Sequence, residues 1–485
     1  MTTNRGAFLE RSRDAAAEWS AKGVTRWAVV LAVLLFSGLL AYRAPGGRAV
    51  YMLIALGPAL VIAFFILRRL PLGLLLVVAG GLLIPIEIGT GTGTSLNPVI
   101  LLLPVVTGLW VLNMAMRHET RRLRDYRVVI LLVVFNAVVF LAFVVGRLPW
   151  SDLPGAGLAA QIGGLMVFFL SGLAFLLAAH LLDETWLARL VYAFIAIGAI
   201  YVAARLIPPV GAVLLPFFSE GATGSVFWTW LVALTTGLAL FHRTLSPGRR
   251  VALLAVTAAT LVIALGFNRI WASGWAPPLI ALMLLFWLRF PRWGWLPVLA
   301  GGAVFVSRLD RIWNLTTSAD SWLARQQAWQ IVFDVTRINP LLGLGPSNYY
   351  YYVQQADISG WGGNWNVAFS SHNNWVDLIA QTGLLGTAAF VLFSVSIGLI
   401  GLRLYRNLPD GFARGYAAAC VAGLVGTLAS GMLGDWFLPF VYNVGLAGMR
   451  SSILFWVFMG GLLALDKYRQ PQDAQGSESV LPISR

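Results

Sequence analysis

The side chains best suited to chemistry gather in one stretch of this sequence, between Arg308 and about Leu384. Near its end stands His372, in Ser370-Ser371-His372-Asn373-Asn374. A neutral imidazole takes up a proton near pH 7. A lone histidine is more often structural than catalytic, but this one sits where a helix should begin, with Ser370 or Ser371 as its N-cap. Further upstream is Arg325, within Ser321-Trp322-Leu323-Ala324-Arg325-Gln326-Gln327-Ala328-Trp329. On a helix, Trp322, Arg325, Trp329, Val332 and Thr336 share one face. The functional reading is a guanidinium fork presented to a phosphate. The plain reading is an interfacial helix with Trp anchors and a snorkelling Arg. Arg269, in Gly266-Phe267-Asn268-Arg269, closes an apolar run, and Arg205 and Arg450 hold similar edge positions with weaker claims.

Other chemistries find little footing. There is no His pair at helical spacing, no cysteine cluster (Cys420 stands alone) and no Asp-x-Asp motif, so no metal site is expected. Gly-Leu-Gly-Pro-Ser-Asn, from Gly343, lacks the Lys-Ser/Thr that grips nucleotide phosphates. Asp320 and Asp357 accompany His372 and several serines, yet no spacing singles out a nucleophilic triad. Trp313, Trp322, Trp329, Tyr349 to Tyr352, Trp361 and Trp365 suit either sugar stacking or an aromatic belt at a membrane interface.

The surrounding elements must be transmembrane helices. Of 485 residues 59% are hydrophobic and only 11% charged, against about 25% charged in a soluble domain. The apolar residues fall in long uncharged runs. The formal charge of +14 would raise a nucleic-acid partner in a soluble protein, but here it fits the arginines of cytoplasmic loops beside membrane lipid. The expected fold is all-α, a polytopic bundle of about 12–14 spans. The runs lie near 27–42, 49–67, 70–86, 97–116, 128–146, 157–181, 187–206, 225–241, 251–267, 276–290, 293–307, 384–402, 416–433 and 451–466. The long polar lead, residues 1–26, and the lack of a cleavage pattern mark the first run as a retained span. Alternating the spans from an inside N-terminus puts most of the 34 basic residues inside, so both termini, including 467–485, are expected in the cytoplasm. Residues 308–383 then form one large extracytoplasmic loop containing short helices, among them Asp320 to Arg337. Loops of that length usually serve a function.

These residues together resemble the O-antigen ligase and O-antigen polymerase superfamily of bacterial cell-envelope enzymes. The resemblance rests on Arg325 with Trp329, on Pro340-Leu341-Leu342-Gly343-Leu344-Gly345-Pro346-Ser347-Asn348-Tyr349, on His372-Asn373-Asn374-Trp375 and on Gly383-Leu384-Leu385-Gly386. It spans about sixty residues. Asn268-Arg269 stands where the family usually has Ser-Arg. The resemblance implies a metal-independent inverting glycosyltransferase without cofactor, in the bacterial cytoplasmic membrane, with its active site facing outward. The donor would be a glycan on undecaprenyl diphosphate, and the acceptor lipid A–core or a similar glycan or glycolipid. By position His372 matches the essential histidine, and Arg325 and Arg269 the diphosphate-binding arginines; Asn373, Asn374, Trp329, Tyr349 and Arg205 are supporting candidates. An O-antigen or exopolysaccharide polymerase shares the same motifs. A lipid-linked oligosaccharide transporter predicts charges deep within the spans, and these are scarce.

Overall fold

A computed structural model describes residues 69–89, 95–117, 126–150, 154–267, 271–307, 322–355 and 369–468. The chain divides into Met1–Leu72 and Gly73–Arg485, and nearly all the described residues belong to the second unit. The two expected runs at 27–42 and 49–67 lie outside the described residues, as do Arg269, His118, Asp320 and Asp357.

The described helices are α1 (Leu70–Leu83), α2 (Pro98–Arg117), α3 (Tyr126–Val145), α4 (Leu158–Leu181), α5 (Glu184–Leu206), α6 (Pro208–Leu214), α7 (Ser225–Phe241), α8 (Pro247–Val262), α9 (Ala272–Arg289), α10 (Trp295–Ser307), α11 (Trp322–Thr336), α12 (Tyr349–Tyr352), α13 (Asn374–Asn407), α14 (Phe412–Ser430) and α15 (Met449–Tyr468). Two-residue strands β1 (Ile88–Gly89) and β2 (Ser95–Leu96) pair antiparallel. Among the described residues nine helices are long and apolar enough to cross a bilayer, and the protein is a multi-pass membrane protein. Every expected run within the described residues is helical. α3 shows why composition prevails over local preference. Its sequence is rich in Val and Phe, which favour strands, but lipid offers no partner for a backbone amide, so each span must bond within itself.

Packing follows the small residues. α7 lies against α8, α9 and α14, and α15 against α4. A Cβ at Gly237 would stand 2.7 Å from the Ala419 Cβ, and one at Gly460 would stand 2.2 Å from the Phe175 oxygen. Small residues thus let backbones approach where no hydrophobic force between helices acts. Pro277 within α9 has no N–H for the Ser273 carbonyl; the Ser225 hydroxyl of α7 bonds that oxygen instead.

The sequence places the twelfth run at 384–402, but the helix starts ten residues earlier, at Asn374. Its first turns carry Asn374, Asp377 and Gln381, all buried, and such polar residues hide a helix from an apolar scan. Gly383 breaks α13 with φ of +66°. The turn that follows α11 repairs the break: Leu384 N–H donates to the Pro340 carbonyl at 2.9 Å, Leu385 N–H to Leu341 at 3.1 Å, and Leu344 N–H to the freed Ala380 carbonyl at 2.8 Å. The Pro-x-x-Gly-x-Gly turn and Gly383 therefore form one device. A Cβ on Gly383 would lie 2.3 Å from the Leu341 carbonyl atoms. Gly383→Ala should cost about 2 kcal/mol or more in strain and clash, seen as a lower melting temperature in detergent. An unchanged melting temperature would contradict the interlock.

Candidate functional site

The segment 369–373, the start of α13 and the connection from Gly431 to Gly445 meet at one end of the bundle; α13 runs from there to Arg403, paired at 2.9 Å with the buried Asp466 near the end of α15. His372 is exposed and has φ of 49°. Left-handed backbone is uncommon outside glycine and is held only where the surroundings enforce it. Here the enforcing contacts are several. His372 N–H donates to Ser370 Oγ at 3.3 Å, the Ser371 carbonyl accepts from Trp329 Nε1 at 2.8 Å, and Ser371 N–H donates to the Tyr349 hydroxyl at 3.2 Å. The N-cap of α13 is Asn373 rather than either serine. Its Oδ1 accepts from the Trp375 and Val376 amides, while Ser371 Oγ is committed to Asp377 at 2.7 Å.

Beneath the loop lies a buried polar core. The Tyr349 hydroxyl donates to Asp377 Oδ1, and its ring stacks on Phe440 at 4.8 Å. Burial and the neighbouring Asp377 and Asp435 hold the phenol well above its usual range, so it remains a donor. Burial pushes Asp435 above the usual carboxylate range, while its interactions with Asp377, Asn443, His372 and Ser370 oppose that shift; the Ser370 hydroxyl donates to its Oδ2 at 3.4 Å. The Asn443 amide stands between Asp435 Oδ2, at 2.6 Å, and His372 Nδ1, at 3.0 Å. His372 is thereby linked through Asn443 to the buried acids.

The supporting candidates have specific places. Asn374 is fully used as a tie, donating to the Leu438 carbonyl at 2.6 Å and accepting from Phe437 N–H at 2.9 Å. Asn373, Trp329 and Tyr349 likewise hold the loop in shape. The tyrosine run stacks largely within the protein, Tyr350 lying on Tyr442 at 4.3 Å. α11 turns Val332 and Thr336 into the core, as its expected face requires, and leaves Arg325 half-buried one turn before Trp329. Among the described residues no carboxylate pairs with Arg325. Arg205 is exposed on the last turn of α5, with no described link to His372. Arg450 is buried and braces the approach to β1, donating to the Ile86 carbonyl at 2.8 Å with Glu87 at 3.5 Å. Arg269 follows the π-helical turn Ile263–Phe267 and lies outside the described residues.

Sequence reasoning did not single out Asp377, Asp435 or Asn443. The available signal was an acid in each of two otherwise apolar settings, five residues after His372 and in the short connection between α14 and α15. No protein-family model matches the sequence, and no curated protein matches it significantly.

Proposed function

We propose that this protein is an inverting glycosyltransferase of the O-antigen ligase type, working at the outer face of a bacterial cytoplasmic membrane. It moves a glycan from undecaprenyl diphosphate to a hydroxyl of a glycan or glycolipid such as lipid A–core. The observation that most supports this reading is the Trp329–Ser371 bond, which ties the helix bearing Arg325 to the loop presenting His372. A cation for a diphosphate and a base for a hydroxyl then belong to one unit. The orientation has its own support. Arg243, Arg289, Arg403, Arg406 and Arg414 cluster at helix ends remote from His372, and such clusters favour the cytoplasm.

In the reaction, the acceptor oxygen attacks the anomeric carbon opposite the diphosphate, and its proton passes to His372 Nε2. The bond from the anomeric carbon to the diphosphate oxygen breaks, and its electron pair leaves with undecaprenyl diphosphate. Configuration inverts. Arg325, with Arg269, meets the charge that develops on the leaving group. The lipid tail of the donor stays in the bilayer, which accounts for a site at the membrane surface.

The test is transfer by the purified protein from an undecaprenyl-diphosphate-linked glycan, with EDTA present. Transfer with inversion is expected, at a rate EDTA does not change. Failure to transfer to any glycan or glycolipid acceptor from the same envelope would overturn the assignment.

A further inference from the structure

We propose that the turn joining α9 to α10, at the end of the bundle remote from His372, binds the headgroup of an anionic phospholipid. The site is independent of the glycan chemistry proposed above.

α9 runs between the two ends of the bundle. It begins beside the connection that carries Asp435, where Trp271 meets Trp436 at 5.5 Å. It ends where the Tyr405 hydroxyl, far along α13, donates to the Leu288 carbonyl at 2.8 Å. The turn that follows is Arg289-Phe290-Pro291-Arg292-Trp293-Gly294-Trp295. Several bonds hold its shape. Phe290 N–H donates to the Phe286 carbonyl at 2.8 Å, Trp293 N–H to Phe290 at 3.0 Å, and the Trp295 indole to the Arg292 carbonyl at 2.9 Å. Gly294 is pressed against Trp287, where a Cβ would stand 2.7 Å from the indole Cγ. Trp287, Trp293 and Trp295 are nevertheless each at least half exposed.

The charge of this turn is uncompensated. Other arginines at this end have acids: Arg403 pairs with Asp466 at 2.9 Å, and Arg243 and Arg414 share Asp410 at 3.3 and 2.6 Å. Arg289 and Arg292 meet no carboxylate among the described residues. Nor can one come from nearby sequence, since there is no Asp or Glu from Gly221 to Leu309. Arg292 is exposed, but Arg289 is half-buried, with its guanidinium over the Phe290 ring at 5.2 Å. A cation partly withdrawn from water gains most from an anion brought to it. A phosphodiester matches the guanidinium fork. Tryptophan settles at the headgroup level of a bilayer, and basic pockets between spans take anionic headgroups. Exposed Leu296 and Leu299 continue the apolar surface along α10, as acyl chains require. A soluble anion would use none of that surface.

The test is titration of the full-length protein in detergent with phosphatidylglycerol or phosphatidylcholine of equal chain length, the bound lipid being counted by native mass spectrometry. Phosphatidylglycerol should bind about tenfold tighter or more. Arg292→Gln should weaken it by about fivefold, and Arg289→Gln with Arg292→Gln by about 30-fold, with phosphatidylcholine unchanged. Arg249 is an exposed arginine at the same end, beside Tyr192 of α5. Arg249→Gln should leave binding within about twofold, since salt screens separated surface charges. Equal binding of the two lipids by wild type would overturn the proposal. So would a loss in Arg249→Gln as large as in Arg292→Gln, which would make the attraction diffuse. Displacement of phosphatidylglycerol by millimolar inorganic phosphate would make the turn a site for soluble anions and overturn it equally. A second readout guards against misfolding. Without lipid, Arg292→Gln should melt with wild type, because the side chain is exposed. Phosphatidylglycerol should then raise the melting temperature of wild type more than that of the variant, and equal rises would count against the site. Glycan transfer has no part in these measurements, so their failure would leave the proposed function standing.

Discussion

His372→Ala should lower kcat for glycan transfer by about 10²- to 10⁴-fold, the contribution of a positioned proton acceptor, with the protein still folded. His372 is exposed, and the bond its side chain makes is to the equally exposed Asn443, so its loss leaves no cavity. Its backbone, at φ of 49°, adds a second effect. Alanine in the left-handed region costs about 1 kcal/mol, enough to disturb the loop. His372→Gly removes that strain without supplying a base. Loss of activity in both variants would separate chemistry from backbone strain. Recovery of activity in His372→Gly would make the histidine a loop residue and end its assignment as base.

Arg325→Ala should reduce kcat/KM for the lipid-linked donor by about 100-fold, as expected for a charge-assisted contact worth some 3 kcal/mol. Arg325 is half-buried on α11 with no carboxylate partner among the described residues, so its removal strands no counter-charge. Arg325→Lys keeps the charge but loses the planar fork, and should recover only part of the loss. Competition by undecaprenyl diphosphate provides the second readout: the variant should need far more of it for half-inhibition. Equal inhibition of wild type and Arg325→Ala would remove diphosphate binding from this residue, whatever the rate.

Uncharged apolar runs determine the spans by themselves, because a bilayer leaves a backbone segment no choice but to bond internally; α7 falls at 225–241, as its run alone requires. His372 and Arg325 are likewise legible as residue types in a stretch that no span explains. A helix start at His372 was legible from its capping residues, but its continuity with the apolar run from 384 was not, since Asn374, Asp377 and Gln381 are polar groups whose partners lie elsewhere: the Leu438 carbonyl, the Tyr349 hydroxyl and the Ser347 amide. The same holds for the cap at Asn373, where the choice among neighbouring polar residues turned on Asp377 engaging Ser371. Asp435 and Asn443 are separated from His372 by two long helices, and local spacing carries no trace of their meeting. Periodicity and hydropathy are properties of neighbouring residues, so the sequence by itself determined the helices and the reactive side chains. Which acid faces which amide, and what His372 Nδ1 meets, depends on contacts between distant segments and was decided only by the tertiary structure.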